Sequence, residues 1–285
     1  MDRNFDDIAQ HFFNKVHSTH KGELRRRVIQ QDLTLLEKWL QQPRRVADIG
    51  AGFGDFCRRF AREGHQVWYN DLSKEMMLQA QRQFNPDAQF KPGSPLKIDS
   101  QFKSNDLTNL NSENTNSTLP FQIEWSNQPY QEFLPSLQQP VDLILCHAVI
   151  EWLEQPERLI PTIASKLVEG GYLSLCFYNT VGRDFRNLIC GNFHHLDHQS
   201  ERKSDQGSLT PNTAPTWTQI AEWLEQHHFS IEKVSGIRVF SDYATQKRGG
   251  LLFPEQVIER ELQYSQQEPF KWLGRYIHVL ATKVS

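Results

Sequence analysis

The run Val46-Ala47-Asp48-Ile49-Gly50-Ala51-Gly52-Phe53-Gly54 constrains this chain more than any other stretch. Its first four residues read as a buried strand, its glycines as a tight turn, and the residues after Gly54 as a helix. Asp71 closes the next apolar run, Val67-Trp68-Tyr69-Asn70-Asp71, 23 residues beyond Asp48. Strand, Gly-x-Gly turn, helix, second strand and terminal acid make a nucleotide-binding half-fold. Glycine serves in such a turn because a side chain would hold the backbone away from a ligand. The terminal carboxylate can accept hydrogen bonds from both hydroxyls of a ribose. The pattern predicts an adenosine-containing ligand.

The alternation continues along the chain. The first strand covers 45–49, and its helix runs to about Glu63 before Gly64-His65 stop it. Ser73 is placed to cap a helix over 74–84 that Asn85-Pro86 terminates. Phe121-Gln122-Ile123-Glu124-Trp125 reads as strand three, or as its remainder after Gln89-Phe90-Lys91. Val141 to Cys146 is a continuous apolar strand broken only by Asp142, leading into His147. A helix over 155–168 stops at Gly170-Gly171, and Tyr172 to Asn179 forms a fifth strand. A helix over 216–228 precedes a strand over 229–235, and Arg275 to Lys283 alternates strongly as the last strand. The expectation is an α/β, Rossmann-like domain: a mostly parallel sheet of up to seven strands, the last antiparallel, with helices on both faces.

At 285 residues the whole chain, 1–285, is expected to be a single domain. Residues 1–43 form a helical cap, and 180–215 a helix and loop on the substrate side. Residues 92–120 break the rhythm: Ser104 to Thr118 is polar and low in complexity, so it is expected to be a disordered insertion. Lys21-Gly22-Glu23-Leu24-Arg25-Arg26-Arg27 is the densest basic cluster. It is either a solvated helix face or a cover for the ligand pocket, with Arg25 or its neighbours reaching in.

A net charge of −3 argues against wholesale coating by nucleic acid, though it permits a local basic patch. Cys57, Cys146, Cys176 and Cys190 contain no Cys-x-x-Cys pair, which fits reduced thiols rather than disulfides or zinc. No apolar run reaches 18 residues and the start does not read as a signal peptide, so a cytoplasmic protein without membrane partners is expected.

Asp48-Ile-Gly-Ala-Gly-Phe-Gly54, Asp71, the strand with Asp142 and Gly170-Gly171-Tyr172-Leu173-Ser174-Leu175 resemble class I S-adenosylmethionine-dependent methyltransferases. Further stretches lie outside that cofactor motif. Asp2 to Ala9, Lys21 to Arg25, Cys146 to Trp152, Phe177-Tyr178-Asn179 and Gly191-Asn192-Phe193 are similar to the bacterial tRNA 5-carboxymethoxyuridine methyltransferases. So are Gly236 to Tyr243, Gln267 to Phe270 and Leu273 to His278, while the segment near 92–120 is longer than the family needs. The resemblance implies methyl transfer from S-adenosyl-L-methionine, leaving S-adenosyl-L-homocysteine. The acceptor it implies is the carboxylate of 5-carboxymethoxyuridine in a tRNA anticodon loop, at the wobble position. Cofactor contacts are expected at Arg25, Asp48, Gly50, Ala51, Gly52, Asp71 and His147, with Ser126 or Asn127 on the adenine side.

The chemistry accounts for an absence. A carboxylate, with a reference pKa of about 4, is already ionised and needs no general base. Alignment is what the protein must supply, and proximity can lower a barrier by roughly 7–11 kcal/mol. Base-nitrogen methylation often uses Asn/Asp-Pro-Pro-Tyr/Phe after the fourth strand, where this chain has Cys146-His147-Ala148-Val149. The substrate carboxylate calls for a cationic clamp. Tyr178, Asn179, Arg183, Arg186 and Arg238 are the candidates, and Arg238 leads because Gly236, Ile237, Val239 and Phe240 predict a buried segment around it. A buried arginine needs an anion, either the substrate or an acid of this chain.

His147 reads as packing beside the adenosine or as a structural histidine, and Cys146 as a core thiol rather than a nucleophile. His194, His195 and His198 lack a carboxylate or cysteine frame, so no metal is expected and they read as solvated or RNA-facing. Arg25 to Arg27, Arg183, Arg186, Arg202, Lys203, Lys247 and Arg248 are the groups available to RNA. A methyltransferase for a small carboxylic acid, a nicotinamide oxidoreductase and a non-catalytic tRNA-binding module are the rival readings.

Overall fold

The computed structural model describes residues 2–84, 123–197, 211, 214–244 and 253–285. The expected insertion at 92–120, His198, Arg202, Lys203, Lys247, Arg248 and most of the 199–215 loop lie outside these residues. Seven strands form one sheet: β1 Arg45–Ile49, β2 Gln66–Asn70, β3 Ile123–Ser126, β4 Val141–His147, β5 Leu167–Tyr178, β6 Phe229–Ile237 and β7 Tyr276–Lys283. Their spatial order is β3-β2-β1-β4-β5-β7-β6. The first five pair in parallel, and β7 inserts antiparallel between β5 and β6. The antiparallel last strand is as the sequence predicts.

The central strands are apolar because both of their faces are covered. Leu143, Ile144 and Leu145 on β4 are each fully buried, and each such side chain stabilises the fold by roughly 1.5–3 kcal/mol relative to exposure. On one face, Val28, Ile29 and Leu33 of α1 (His20–Leu33) pack with Cys57 and Phe60 of α2 (Asp55–Arg62) and Ala80 of α3 (Lys74–Phe84). On the other, Phe133 and Leu134 of α4 (Tyr130–Ser136) join Ile160 and Ile163 of α5 (Leu159–Lys166). Ile220 and Leu224 of α7 (Trp217–Gln226), the helix after α6 (Thr180–Ile189), complete that layer.

Two boundaries move. The helix expected to stop at Gly170-Gly171 ends at Lys166, and residues 167–171 are already strand. A register shift between Val141 and Leu143 lets β5 start early beside β4, and Gly170 takes φ +73° there. Ser73 caps α3 as expected, accepting from the Met76 N–H at 3.2 Å, and Asp6 adds a bond to the Glu75 N–H at 3.0 Å. That second cap comes from the N-terminal segment, which lies over the site.

Candidate active site

Strand order reverses between β1 and β4, so a crevice opens at their carboxyl ends, where ligands of such sheets sit. The glycine turn lines it. Gly50, Gly52 and Gly54 take φ of +62°, +55° and +69°, the left-handed region that a side chain disfavours. At Gly50 a Cβ would also lie 2.2 Å from Val149 Cγ2. The turn is tied to β2: the Ala51 N–H donates to Asn70 O at 3.0 Å, and the Tyr69 hydroxyl to Gly52 O at 2.7 Å.

Asp71 accepts the Gly52 N–H on Oδ2 and the Ser73 N–H on Oδ1, each at 2.8 Å. Asp71 lines the cavity, and each oxygen has acceptor capacity beyond that one bond. Burial raises its pKa to about 6 despite those two bonds. Asp48 lies deeper, accepts from Cys57 Sγ at 3.3 Å, and is pushed up to about 7 by burial.

Arg25 lines the same cavity, and its guanidinium makes no hydrogen bond or ion pair among the described residues. Arg26 lines the cavity too, held by Glu23 at 2.8 Å and Asp55 at 3.5 Å, while Arg27 pairs with Glu23 at 2.9 Å outside it. His147 lines the cavity at the end of β4. Ser126 and Asn127 stand behind the wall instead: Ser126 O accepts the Asp71 N–H, and Asn127 Nδ2 donates to the carbonyls of Asp71 and Leu72. The lining there is Gln128, Pro129 and Tyr130, next along the chain.

A roof closes the site. The Arg3 N–H donates to Trp152 O at 3.2 Å, Asp2 Oδ1 accepts the Glu154 N–H at 2.9 Å, and Asp6 Oδ1 accepts the Ser73 hydroxyl at 2.6 Å. The N-terminal segment is thereby pinned on both sides of the crevice. Phe5, Phe12 and Phe53 meet beneath it at ring separations of 6.2 and 6.3 Å. His17 packs 4.4 Å from the Phe53 ring, and burial lowers its pKa to about 4.

The substrate-side candidates divide. Asn179 is committed to structure: its Nδ2 donates to Trp272 O and Gly274 O at 2.8 and 2.7 Å, and its Oδ1 caps α6 through the Val181 N–H. Arg183 contacts Asp184 at 2.8 Å, and Arg186 lies on the same helix. Arg238 is buried as expected and pairs with Asp242 at 3.3 Å, so an acid of this chain is its partner here. Its guanidinium stacks 5.5 Å from the Tyr276 ring, which lines the cavity and meets Tyr178 edge-on at 5.6 Å. Cys57, Cys146 and Cys176 are buried thiols. No cluster of metal-ligating side chains occurs among the described residues, and no described helix is long and apolar enough to cross a membrane.

The donor set fits S-adenosylmethionine. A carboxylate with spare lone pairs suits the ribose diol, an unengaged guanidinium suits the amino-acid carboxylate, and Leu72, Met76 and Tyr130 offer apolar walls to the adenine.

Comparison with known proteins agrees. The methyltransferase domain family matches residues 22–234. Two tRNA 5-carboxymethoxyuridine methyltransferases, from Escherichia coli O157:H7 and from Escherichia coli strain K12, are each 35% identical over 284 residues, covering 99% of this chain and 97% of theirs. Among solved structures, magnesium protoporphyrin IX methyltransferase from Synechocystis PCC 6803 with bound SAM is 14% identical with a TM-score of 0.52, covering 98% of this chain and 93% of that one. The plantazolicin methyltransferase BpumL, in complex with a pentazolic analogue and SAH, is 14% identical with a TM-score of 0.53, covering 98% and 90%. Fold and cavity therefore define a class I methyltransferase that uses S-adenosylmethionine. Within that class, the chain belongs to the tRNA 5-carboxymethoxyuridine methyltransferase family.

Proposed function

We propose that this protein methylates the carboxylate of 5-carboxymethoxyuridine at the wobble position of the tRNA anticodon loop, giving the methyl ester. The observation that carries the reading is the 35% identity sustained over 284 residues. It spans the roof from Asp2 to Ala9 and the β6–β7 region as well as the cofactor turn. When bound, S-adenosylmethionine supplies a sulfonium-activated methyl group. Asp71 holds the ribose hydroxyls, Arg25 the amino-acid carboxylate, and the Gly50–Gly54 turn lets the backbone approach. The acceptor carboxylate is ionised at neutral pH, so no side chain has to remove a proton. The aromatic roof excludes water and leaves the reacting groups to be aligned by the walls. Arg238, supported by Tyr276 and Tyr178, is the proposed clamp for the acceptor carboxylate, which competes with Asp242 for the guanidinium; Arg183 and Arg186 lie on α6. The compartment is that of tRNA, the cytoplasm.

The test offers labelled S-adenosylmethionine with three acceptors: tRNA bearing 5-carboxymethoxyuridine, the free nucleoside, and a set of small carboxylic acids. Label entering the tRNA far faster than either of the others supports the reading. Equal or faster methylation of a small acid overturns it in favour of a small-molecule enzyme.

A further inference from the structure

Behind the cavity wall the fold buries a second polar system, which reaches the cavity through His147. His147, Cys176 and His278 lie in register across β4, β5 and β7, so their side chains share one face of the sheet. Ser174, two residues before Cys176, shares it too, and α1 brings Asp32 down onto that face. His278 Nδ1 lies 2.7 Å from Asp32 Oδ2, while Asp32 Oδ1 accepts from Ser235 Oγ at 2.8 Å and from Gln266 Nε2 at 3.1 Å. His278 Nε2 lies 2.8 Å from Ser174 Oγ, which lies 2.9 Å from His147 Nε2. Ser174 and His278 are fully buried and Asp32 is 1% exposed, whereas His147 lines the cavity. The chain of bonds runs from the protein interior to the ligand.

Its protons are coupled link by link. An ionised Asp32 can only accept, so Nδ1 of His278 carries the proton of their bond. With Nε2 of His278 bare, Ser174 donates to it and accepts from Nε2–H of His147, leaving Nδ1 of His147 an acceptor. With Nε2 of His278 protonated, both bonds reverse and Nδ1 of His147 carries the proton. His147 itself stays neutral, because burial pushes its pKa well below 6.5. Nδ1 of His147 makes no hydrogen bond among the described residues. Its ring cannot swing freely, being edge-on to Phe56 at 5.0 Å and to His278 at 5.9 Å.

We infer that Asp32, His278 and Ser174 are positioning residues: they lock the imidazole of His147 and fix a single tautomer, so that Nδ1 meets the bound cofactor with one hydrogen-bonding polarity. The inference rests on the cofactor assignment above only for the identity of that ligand. A buried polar chain is rigid when every member is satisfied, and breaking one link releases the rest. For metal-bound histidines, the outer partners that fix the ring matter by about 10-fold or more, which sets the scale expected here.

The experiment uses full-length protein with ¹⁵N-labelled histidine. Ring-nitrogen spectra are recorded without ligand, and S-adenosylhomocysteine is titrated by calorimetry. In the native protein His147 shows one tautomer. Ser174→Ala gives His147 the averaged shifts of an exchanging pair and weakens S-adenosylhomocysteine about 10-fold. Ser174→Cys, close in size and a weaker donor, moves both readouts in the same direction. Ser235→Ala removes a bond to Asp32 outside the chain of links, so it lowers the melting temperature and leaves both readouts unchanged. An unaltered His147 spectrum in both Ser174 variants, or identical behaviour of Ser174→Ala and Ser235→Ala, overturns the inference. If the native protein fails to bind S-adenosylhomocysteine, the cofactor assignment falls, while the ligand-free spectra still decide the tautomer.

Discussion

Replacing Asp71 by Asn separates what this carboxylate does for the ligand from what it costs the fold. Burial raises its pKa from 3.8 to about 6. The unfolded chain therefore ionises near 3.8 while the native one holds its proton, and stability falls as pH rises through the window from 3.8 to about 6. Two pKa units correspond to roughly 3 kcal/mol, which the opening of the cavity to water reduces to about 1–2 kcal/mol. Asn removes that cost, but its single oxygen can serve only one of the Gly52 and Ser73 N–H groups; the other, left unpaired, costs about 1–3 kcal/mol. The two terms nearly cancel, so the ligand-free variant should melt close to the native temperature at a pH of about 7.5, above the titration window. Ligand binding has no such compensation. Charge-assisted bonds to the ribose are worth about 1.5–3 kcal/mol each, and losing roughly 2–3 kcal/mol in total weakens S-adenosylhomocysteine roughly 30- to 150-fold. Calorimetric titration of both proteins measures this. A variant that melts normally and binds within about 5-fold of native would refute the ribose assignment.

Other changes test other parts of the site. Gly50→Ala must place a side chain at φ +62° and displace Val149, so it should destabilise by about 2–3 kcal/mol and lower the melting temperature by roughly 5 °C. Glu151 is 3% exposed and burial raises its pKa to about 8. Its ionisation opposes folding from pH 4.5 up to about 8, so Glu151→Gln should match native in urea melts at a pH of about 5 and exceed it by up to about 3 kcal/mol at a pH of about 7–8. Arg238→Lys keeps the charge beside Asp242 but loses the planar fork, so the KM for tRNA should rise about 10-fold with S-adenosylhomocysteine affinity unchanged.

What the sequence makes legible is what neighbouring residues decide together. β1, the glycine turn and Asp71 form one continuous pattern, and each lies where the sequence places it. β4 is legible for a different reason, since burial on both faces leaves an unbroken apolar run. Where β3 ends, Ser126 and Asn127 bond to the Asp71 loop, and the residues lining the cavity there are Gln128–Tyr130, next along the chain. Asn179 has the composition of a ligand-positioning residue, yet the start of α6 needs an N-cap and takes its side chain. The roof is only partly visible in the sequence: residues 1–43 read as a helical cap, but nothing local says that Phe12 will meet Phe53. The Asp32–His278 bond joins residues 246 positions apart, and only the insertion of β7 beside β5 brings them together.

The identity of the acceptor is tested most directly by nucleoside mass spectrometry. Purified protein is incubated with S-adenosylmethionine and tRNA that carries 5-carboxymethoxyuridine without the methyl ester, with unmodified transcript as control. The expected result is a gain of one methyl on the wobble nucleoside alone, lost again on mild ester hydrolysis. Methylation of any other nucleoside, or none despite measured cofactor binding, would contradict the proposed reaction and leave the fold and cofactor without this substrate.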